Sequence, residues 1–332
     1  MKRKKKKKNT FFLCAAVIFM CAVVFCAVKV QNYLQPEIEN AGLAEHGVEK
    51  IKEISYNGET GKIRRQLDTV LFIGIDGEEL PRYKEGEMIP YYNFQQADFL
   101  MLMVFDNIQK TVQLVQINRD TMTFVPWLGV TGDVGGYNYE QITLSHNSGS
   151  GLKDSCINTV NTVSKLLFSL PIDHYVKISM GAVPVLNDIV GGVPVTMPYD
   201  LTELEPEYKA GATVTLLGRK ALSFVRARQG VADGTNISRM GRQRLYIDSY
   251  LNRASIMFSQ NPELAFDTVN QLGYYMLSDM TVEQLASLAD HIYNYEMKEI
   301  YTPEGRNMHD DRFYEFFPYY DKMWEKMKEI VC

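Results

Sequence analysis

Between Arg219 and Arg244 the sequence reads RKALSFVRARQGVADGTNISRMGRQR, with seven fixed positive charges against one acid, Asp233. Guanidinium groups are planar, permanently charged and forked. A cluster of them matches the paired oxygens of a phosphate, which a lysine point charge cannot do. Arg226 and Arg228 stand two apart and share a side only where the chain is extended. From Ser238 the pattern turns helical, and Arg239, Arg242 and Gln243 fall at i, i+3 and i+4 on one face. No acid balances them before Asp248, whereas exposed helices mix signs. A solvated helix face is the bland reading. The sign imbalance favours an anion site, and the anion expected is a pyrophosphate.

The second set of chemistry-bearing residues lies at strand ends. Thr69 to Ile75 (TVLFIGI) is a continuous apolar run of strand length, as in a buried central strand, and it ends in Asp76-Gly77. A carboxylate there stands where open α/β sheets hold ligands, although Asp-Gly is equally a turn-forming pair. Asp98 precedes FLMLMVF, Phe99 to Phe105, and is costly to bury unless paired or bound to metal. Asp76 and Asp98 together could supply two oxygens to Mg2+, which takes one or two carboxylates and shares its other positions with water and phosphate. Val112 to Ile117 gives a third strand, ending in Asn118-Arg119-Asp120-Thr121. Arg119 with Asp120 reads as an ion pair or a site. Charged residues at the ends of three successive strands favour the site. His146, alone, reads as a satisfied polar group and not a metal ligand.

The elements that must position these groups alternate. A long loop rich in Tyr, Glu and Pro, Glu78 to Gln96, is a lid or a surface excursion. Pro126 to Gly136 reads as a glycine-rich loop, followed by a helix near Leu152 to Leu170, a strand over Asp173 to Ser179 and a short helix over Gly181 to Val190. A strand at Val193 to Met197 and a helix at Lys220 to Val225 lead into the arginine helix. Helical patterns return at Pro262 to Leu272 and Thr281 to Tyr295, and an aromatic-rich tail is expected to cap the core. Strands alternating with helices give an α/β fold with a largely buried sheet.

The N-terminus sets the compartment. After MKRKKKKK-Asn-Thr come eighteen uninterrupted apolar residues, Phe11 to Val28, closed by Lys29. Such a run spans a bilayer core of roughly 30 Å with flanking help. Ala27-Val28-Lys29 is a poor small-x-small cleavage site, so the run reads as a retained anchor rather than a signal peptide. Seven Lys/Arg before it place the N-terminus in the cytoplasm and the remaining chain outside the cell, as a single-pass cell-membrane protein. Of the 35 Lys and Arg, those seven set aside leave 28 against 40 Asp and Glu, or −12. An acidic exterior body argues against nucleic-acid binding. Three of the five cysteines lie in the anchor, and Cys156 and Cys332 read as free thiols before a pair, so no disulfide framework is expected.

The order of motifs is itself informative. A strand ends in Gly-x-Asp, then come Ala97-Asp98, Asn118-Arg119-Asp120-Thr121, IDHYVKIS and Leu-Asn-Asp-x-Val-Gly-Gly-Val. A Leu-x-Gly-x-x-Ala-Leu helix, Val225-Arg226-Ala227-Arg228 and Arg239-x-x-x-Gln243 complete it. From Thr69 to Leu251 this resembles the LytR-CpsA-Psr family. The resemblance implies a membrane-anchored bacterial enzyme that uses Mg2+ to transfer a glycopolymer, such as teichoic acid or capsule, from an undecaprenyl-pyrophosphate carrier to peptidoglycan. It also implies an α/β/α sandwich with a central mixed β-sheet, whose interior pocket takes the prenyl tail. On this chain Asp76 and Asp98 match the metal-associated acids, and Arg119 the Arg-Asp-Thr arginine, with Asp120 beside it. Arg226, Arg228, Arg239 and Gln243 match the pyrophosphate-binding groups. Three positions depart from the pattern: Gln96 stands in place of an arginine, Phe99 in place of Ser or Thr, and Asn236 in place of an acid.

The expected organisation is a basic cytoplasmic tail (1–10), an anchor (11–28), a stalk (29–66), a catalytic domain (67–255) and a helical C-terminal extension packed on it (256–332). In the expected mechanism Arg119, Arg226, Arg228, Arg239 and Arg242, with Gln243, neutralise the diphosphate. A carboxylate, Asp120 among the candidates, takes the acceptor proton. A non-catalytic polyprenyl-pyrophosphate or wall-polymer sensor competes with this reading, and a pyrophosphatase of the same fold is the third. A transcriptional role fits poorly with ten residues on the cytoplasmic side.

Overall fold

A computed structural model describes residues 53–84, 87–227, 230–232, 234–261, 264, 271–281, 284–285, 287–288, 291, 294–309 and 314–332. The expected anchor at 11–28 lies outside the described residues, as do Arg228, Asp233, most of 262–272 and part of 281–295. Among the described residues no helix is long and apolar enough to cross a membrane. In chain order the elements are β1 (Glu53–Tyr56), β2 (Glu59–Lys62), β3 (Leu67–Ile75), β4 (Ala97–Asp106), β5 (Thr111–Ile117), β6 (Met122–Leu128) and β7 (Val134–Gln141). A 3-10 turn (Ile142–His146), α1 (Lys153–Leu166), β8 (His174–Ser179), α2 (Ala182–Ile189), β9 (Val193–Thr196), β10 (Thr213–Leu216), α3 (Arg219–Arg226) and α4 (Asn236–Gln260) follow. The chain closes with β11 (Met276–Ser278), β12 (Glu296–Met297), β13 (Gly305–His309), β14 (Tyr314–Pro318) and α5 (Tyr320–Val331).

The chain divides into two compact units. One comprises Val30–Ser179, Met276–Met280 and Glu296–Cys332. Its centre is a six-stranded mixed sheet in the order β11-β8-β3-β4-β5-β12. β4 pairs antiparallel with β3 and β5, and β8 runs parallel to β3. β3 and β4 read as unbroken apolar runs because both their faces are buried. One face carries Leu71, Ile73, Leu100, Leu102 and Val115, and it packs with Cys156 and Val163 of α1 and Met323, Trp324 and Met327 of α5. Each such fully buried aliphatic side chain stabilises the unit by about 1.5–3 kcal/mol.

Three expectations change here. The stalk expected through residue 66 stops short, because β1 and β2 form a hairpin whose Ile54 is fully buried in this core. Residues 256–332 are not a helical extension: β11 and β12 join the central sheet, and α5 belongs to its core. The glycine-rich stretch expected as a loop is mostly strand, since β6 pairs with β7 through Pro126, Trp127 and Leu128. Glycine is needed there for packing: a Cβ on Gly135 would collide with the Trp127 ring.

The described part of the second unit lies within Met180–Tyr275 and Thr281–Tyr295. β9 and β10 form an antiparallel hairpin, and α2, α3 and α4 pack with it. Asn187 of α2 joins the pieces: its Nδ2 donates to Leu216 O at 2.9 Å, and its Oδ1 accepts from Tyr246 at 3.1 Å. The turn after α2 needs two glycines, Gly191 and Gly192, at φ +70° and +86°. α4 starts two residues earlier than its apolar pattern suggests, capped by the Thr235 side chain.

Candidate functional site

The strand-end acids of the sheet unit converge. A register shift between Gly74 and Ile75 sets Ile75 opposite Ala97, so Asp76 comes to lie beside Gln96. Two contacts lock that pair: Asp76 N donates to Gln96 O at 3.1 Å, and Gln96 N donates to Asp76 Oδ1 at 2.8 Å. Asp98, second in β4, is buried. It forms an ion pair with Arg119, whose Nη1 donates to its Oδ1, and Thr143 Oγ1 lies 3.5 Å from the same oxygen. Arg119 Nη2 donates to Gln96 Oε1 at 2.8 Å, and its Nε stands 3.4 Å from Asp120 Oδ1. Asp120 is buried and also receives Gln141 Nε2 at 3.4 Å.

The turn after β5 explains how two adjacent charged residues enter one cluster. Asn118 Oδ1 accepts from Asp120 N at 3.0 Å, and Asn118 O accepts from both Thr121 N and Thr121 Oγ1. This local ring of bonds turns the chain at the strand end, as Asn commonly does. The site residues Asp76, Asp98, Arg119 and Asp120 therefore belong to one arrangement. Sequence reasoning did not pick out Thr143 and Gln141 at all. They lie in a segment without periodic signal, and only the fold brings them near.

The arginine-rich stretch is described within its own unit. Arg226, the last residue of α3, is exposed. Arg239 is buried, and its Nη2 donates to Asn236 Oδ1 at 2.5 Å, so an amide oxygen meets the guanidinium where the family pattern has an acid. Arg242 departs from the expectation of a phosphate ligand. It is 1% exposed, and it donates through Nε to Phe224 O at 3.1 Å, through Nη1 to Tyr199 Oη at 2.8 Å, and through Nη2 to Ala227 O. Gln243 is also buried, with Nε2 3.4 Å from Val225 O. These carbonyls belong to the C-terminal turn of α3 and the residue after it, where helical carbonyls lack intrahelical partners. Arg242 and Gln243 thus close the end of α3, and the missing acids on α4 have a structural explanation at these two positions.

Two hard-oxygen donors on neighbouring strand ends, one half-buried (Asp76) and one buried (Asp98), suit Mg2+, which accepts few protein ligands and completes its shell with phosphate and water. Among the described residues no group of three or more His, Cys, Asp or Glu forms a self-sufficient metal cage. His146 is fully buried, with Nδ1 3.2 Å from Gln95 O. Burial holds its pKa well below the ordinary histidine value, and the Lys177 ammonium adds to the effect.

The LytR_cpsA_psr family model matches residues 37–329, and the chain belongs to that family. It is 25% identical over 310 residues to the polyisoprenyl-teichoic acid–peptidoglycan teichoic acid transferase TagT of Bacillus subtilis, covering 91% of this chain and 86% of TagT. It is 28% identical to an uncharacterised Staphylococcus aureus protein over 50% of this chain and 38% of that one. A further relative, TagU of Bacillus licheniformis, is 28% identical over 48% of this chain and 47% of its own. The chain thus spans under half the length of the last two. Among solved structures, that of Bacillus subtilis TagT aligns at TM-score 0.55 and 21% identity, covering 85% of this chain and 96% of that one. TagT bound to LIIa-WTA aligns at TM-score 0.57 and 22% identity, covering 80% and 90%. These likenesses support the mixed α/β fold with a central mixed sheet.

Proposed function

We propose that this chain is a membrane-anchored, Mg2+-dependent phosphotransferase that moves a glycopolymer from an undecaprenyl-pyrophosphate carrier to peptidoglycan. Family membership and the names of its transferase relatives support the class of reaction. The observation that carries it on this chain is Arg119, held between Asp98, Asp120 and Gln96 at a strand end. A guanidinium fixed in this way needs no reorganisation when charge develops on a phosphate, which is where electrostatic catalysis gains most. The three-layer α/β/α order and an interior pocket for the prenyl tail belong to this proposal, as does anchoring by residues 11–28 with the body outside the cell.

The acceptor hydroxyl attacks the phosphorus that bears the glycopolymer. The P–O bond to the polyprenyl phosphate breaks, and the hydroxyl proton passes to a carboxylate. Asp76 and Asp98 are the residues that would hold Mg2+, which supplies positive charge against the diphosphate oxygens when bound. Arg119 neutralises the oxygens beside those acids and the departing phosphate, and the arginine-rich stretch supplies Arg226, Arg228 and Arg239 as anion ligands. Asp120, buried against Arg119 and Gln141, sets the plane of the Arg119 guanidinium.

A binding protein without turnover is the second reading, and one observation favours it: the Arg119 donors already meet three protein oxygens. Turnover separates the two. The full chain is incubated in vesicles with a polyprenyl-diphosphate-linked saccharide, Mg2+ and peptidoglycan fragments. Transfer gives polyprenyl phosphate and phosphate-linked saccharide on peptidoglycan in equal amounts. Polyprenyl phosphate without a modified acceptor marks a pyrophosphatase, and retained binding without release marks a binder.

A further inference from the structure

The loop joining β3 to β4 exposes five large apolar side chains within seven residues: Met88 at 90%, Ile89 at 57%, Tyr91 at 58%, Tyr92 at 40% and Phe94 at 77%. Single exposed hydrophobics are ordinary, but a contiguous set marks an interaction surface. This stretch is also held firmly from its inner side. Asn93 Nδ2 lies 2.8 Å from His146 O, 3.1 Å from Asn147 O and Gly149 O, and 3.0 Å from Ser155 Oγ. Asn147 Nδ2 donates to Tyr92 Oη at 2.9 Å, and Tyr92 meets Phe94 edge to face at 4.6 Å between ring centres. The inward side is polar and pinned, and the outward side is apolar.

We propose that residues 88–94 dip into the bilayer surface, and this rests on the anchored reading above. Three features on this chain favour lipid as the occupant. Met88 and Ile89 offer aliphatic surface that fits acyl chains, whereas a sugar platform uses ring faces. Tyr91, Tyr92 and Phe94 add rings with polar or edge groups of the kind that settle at the membrane–water boundary. The 24 residues from Lys29 to Lys52 that separate the apolar run from β1 can span up to about 80 Å, so the loop can reach the membrane. Asp76 and Gln96 bracket the loop. Its insertion brings the acid–arginine cluster to the layer where a lipid-borne diphosphate lies.

The test uses the full chain reconstituted in phosphatidylcholine–phosphatidylglycerol vesicles, with Tyr91→Trp placed in a Trp127→Phe background. Trp324, 3% exposed, remains as a constant that the Trp127→Phe chain alone subtracts. Lipid brominated on its acyl chains is expected to quench the new tryptophan, and aqueous acrylamide to quench it little. Phe94→Trp serves as a second probe in case the first variant folds poorly. Acrylamide quenching with no effect of brominated lipid, in a chain that floats with the vesicles, overturns the loop proposal and leaves the anchor standing. A chain that does not float overturns both. A shift caused by soluble peptidoglycan saccharides instead of lipid makes the patch a sugar platform and also overturns the proposal. None of these readings depends on transfer activity, so loss of the transferase reading is seen separately.

Discussion

Arg226 and Arg242 are the same side chain in opposite surroundings. Arg242 is buried and donates to two backbone carbonyls and a tyrosine hydroxyl, so its removal leaves acceptors unpaired in the interior. Arg242→Ala is expected to cost about 3 kcal/mol or more of stability, read as a lowered denaturation midpoint. Arg226 is exposed, and Arg226→Ala is expected to leave that midpoint within about 0.5 kcal/mol of the parent while transfer falls by about two orders of magnitude, as for loss of one preorganised charge donor. Full transfer activity in Arg226→Ala removes that residue from the phosphate site. The sign imbalance along α4 was legible in the sequence. The fate of each arginine was not, because the negative partners of Arg242 are helix-end carbonyls, which carry no letter in the sequence. The strand-end acids were easier to read, since a carboxylate next to an apolar run must be explained by pairing, metal or solvent.

At the scale of elements, β3 and β4 were legible from continuous apolar runs, and the loop between them was legible only as a loop. Its anchoring depends on Asn93, one polar residue among many, whose Nδ2 partners lie more than fifty positions away. Asn93→Ala is expected to lower stability by about 2–4 kcal/mol through unpaired buried carbonyls, measurable by denaturant unfolding, and to free Gln95 and Gln96. β8 shows the limit of alternation. HYVKIS suggests an outward polar face, yet Lys177 is fully buried and donates to Gly151 O. Both faces of this interior strand are covered around Lys177, as in sheets packed on two sides, whatever the pattern of its letters. Beneath the loop, His146 is buried neutral. The unfolded chain protonates it near the ordinary value of 6.5 while the folded chain does not. Stability from this group is therefore present above that value and is lost as pH falls below it. Thermal melts from pH 7.5 to 5 are expected to show a shallower decline for His146→Gln than for the parent chain, and an equal slope contradicts the assignment.

For the whole molecule, the two groups of residues that read as phosphate chemistry lie in different compact units. Family membership was readable from the order of separated motifs, because spacing along the chain survives where identity has fallen to about a quarter. The boundaries were read less well. Strands β11 and β12 are three and two residues long, too short to give a period, so their entry into the central sheet was invisible. The central claim is the proposal that the Asp76–Asp98–Arg119 cluster at the strand ends holds the diphosphate of a lipid carrier. A crystal structure of the chain with a polyprenyl diphosphate and Mg2+ tests this most directly. The expected result is a headgroup whose oxygens lie within hydrogen-bond distance of Arg119, with the metal on Asp76 and Asp98. A headgroup bound away from Arg119, or a metal held by neither Asp76 nor Asp98, contradicts it.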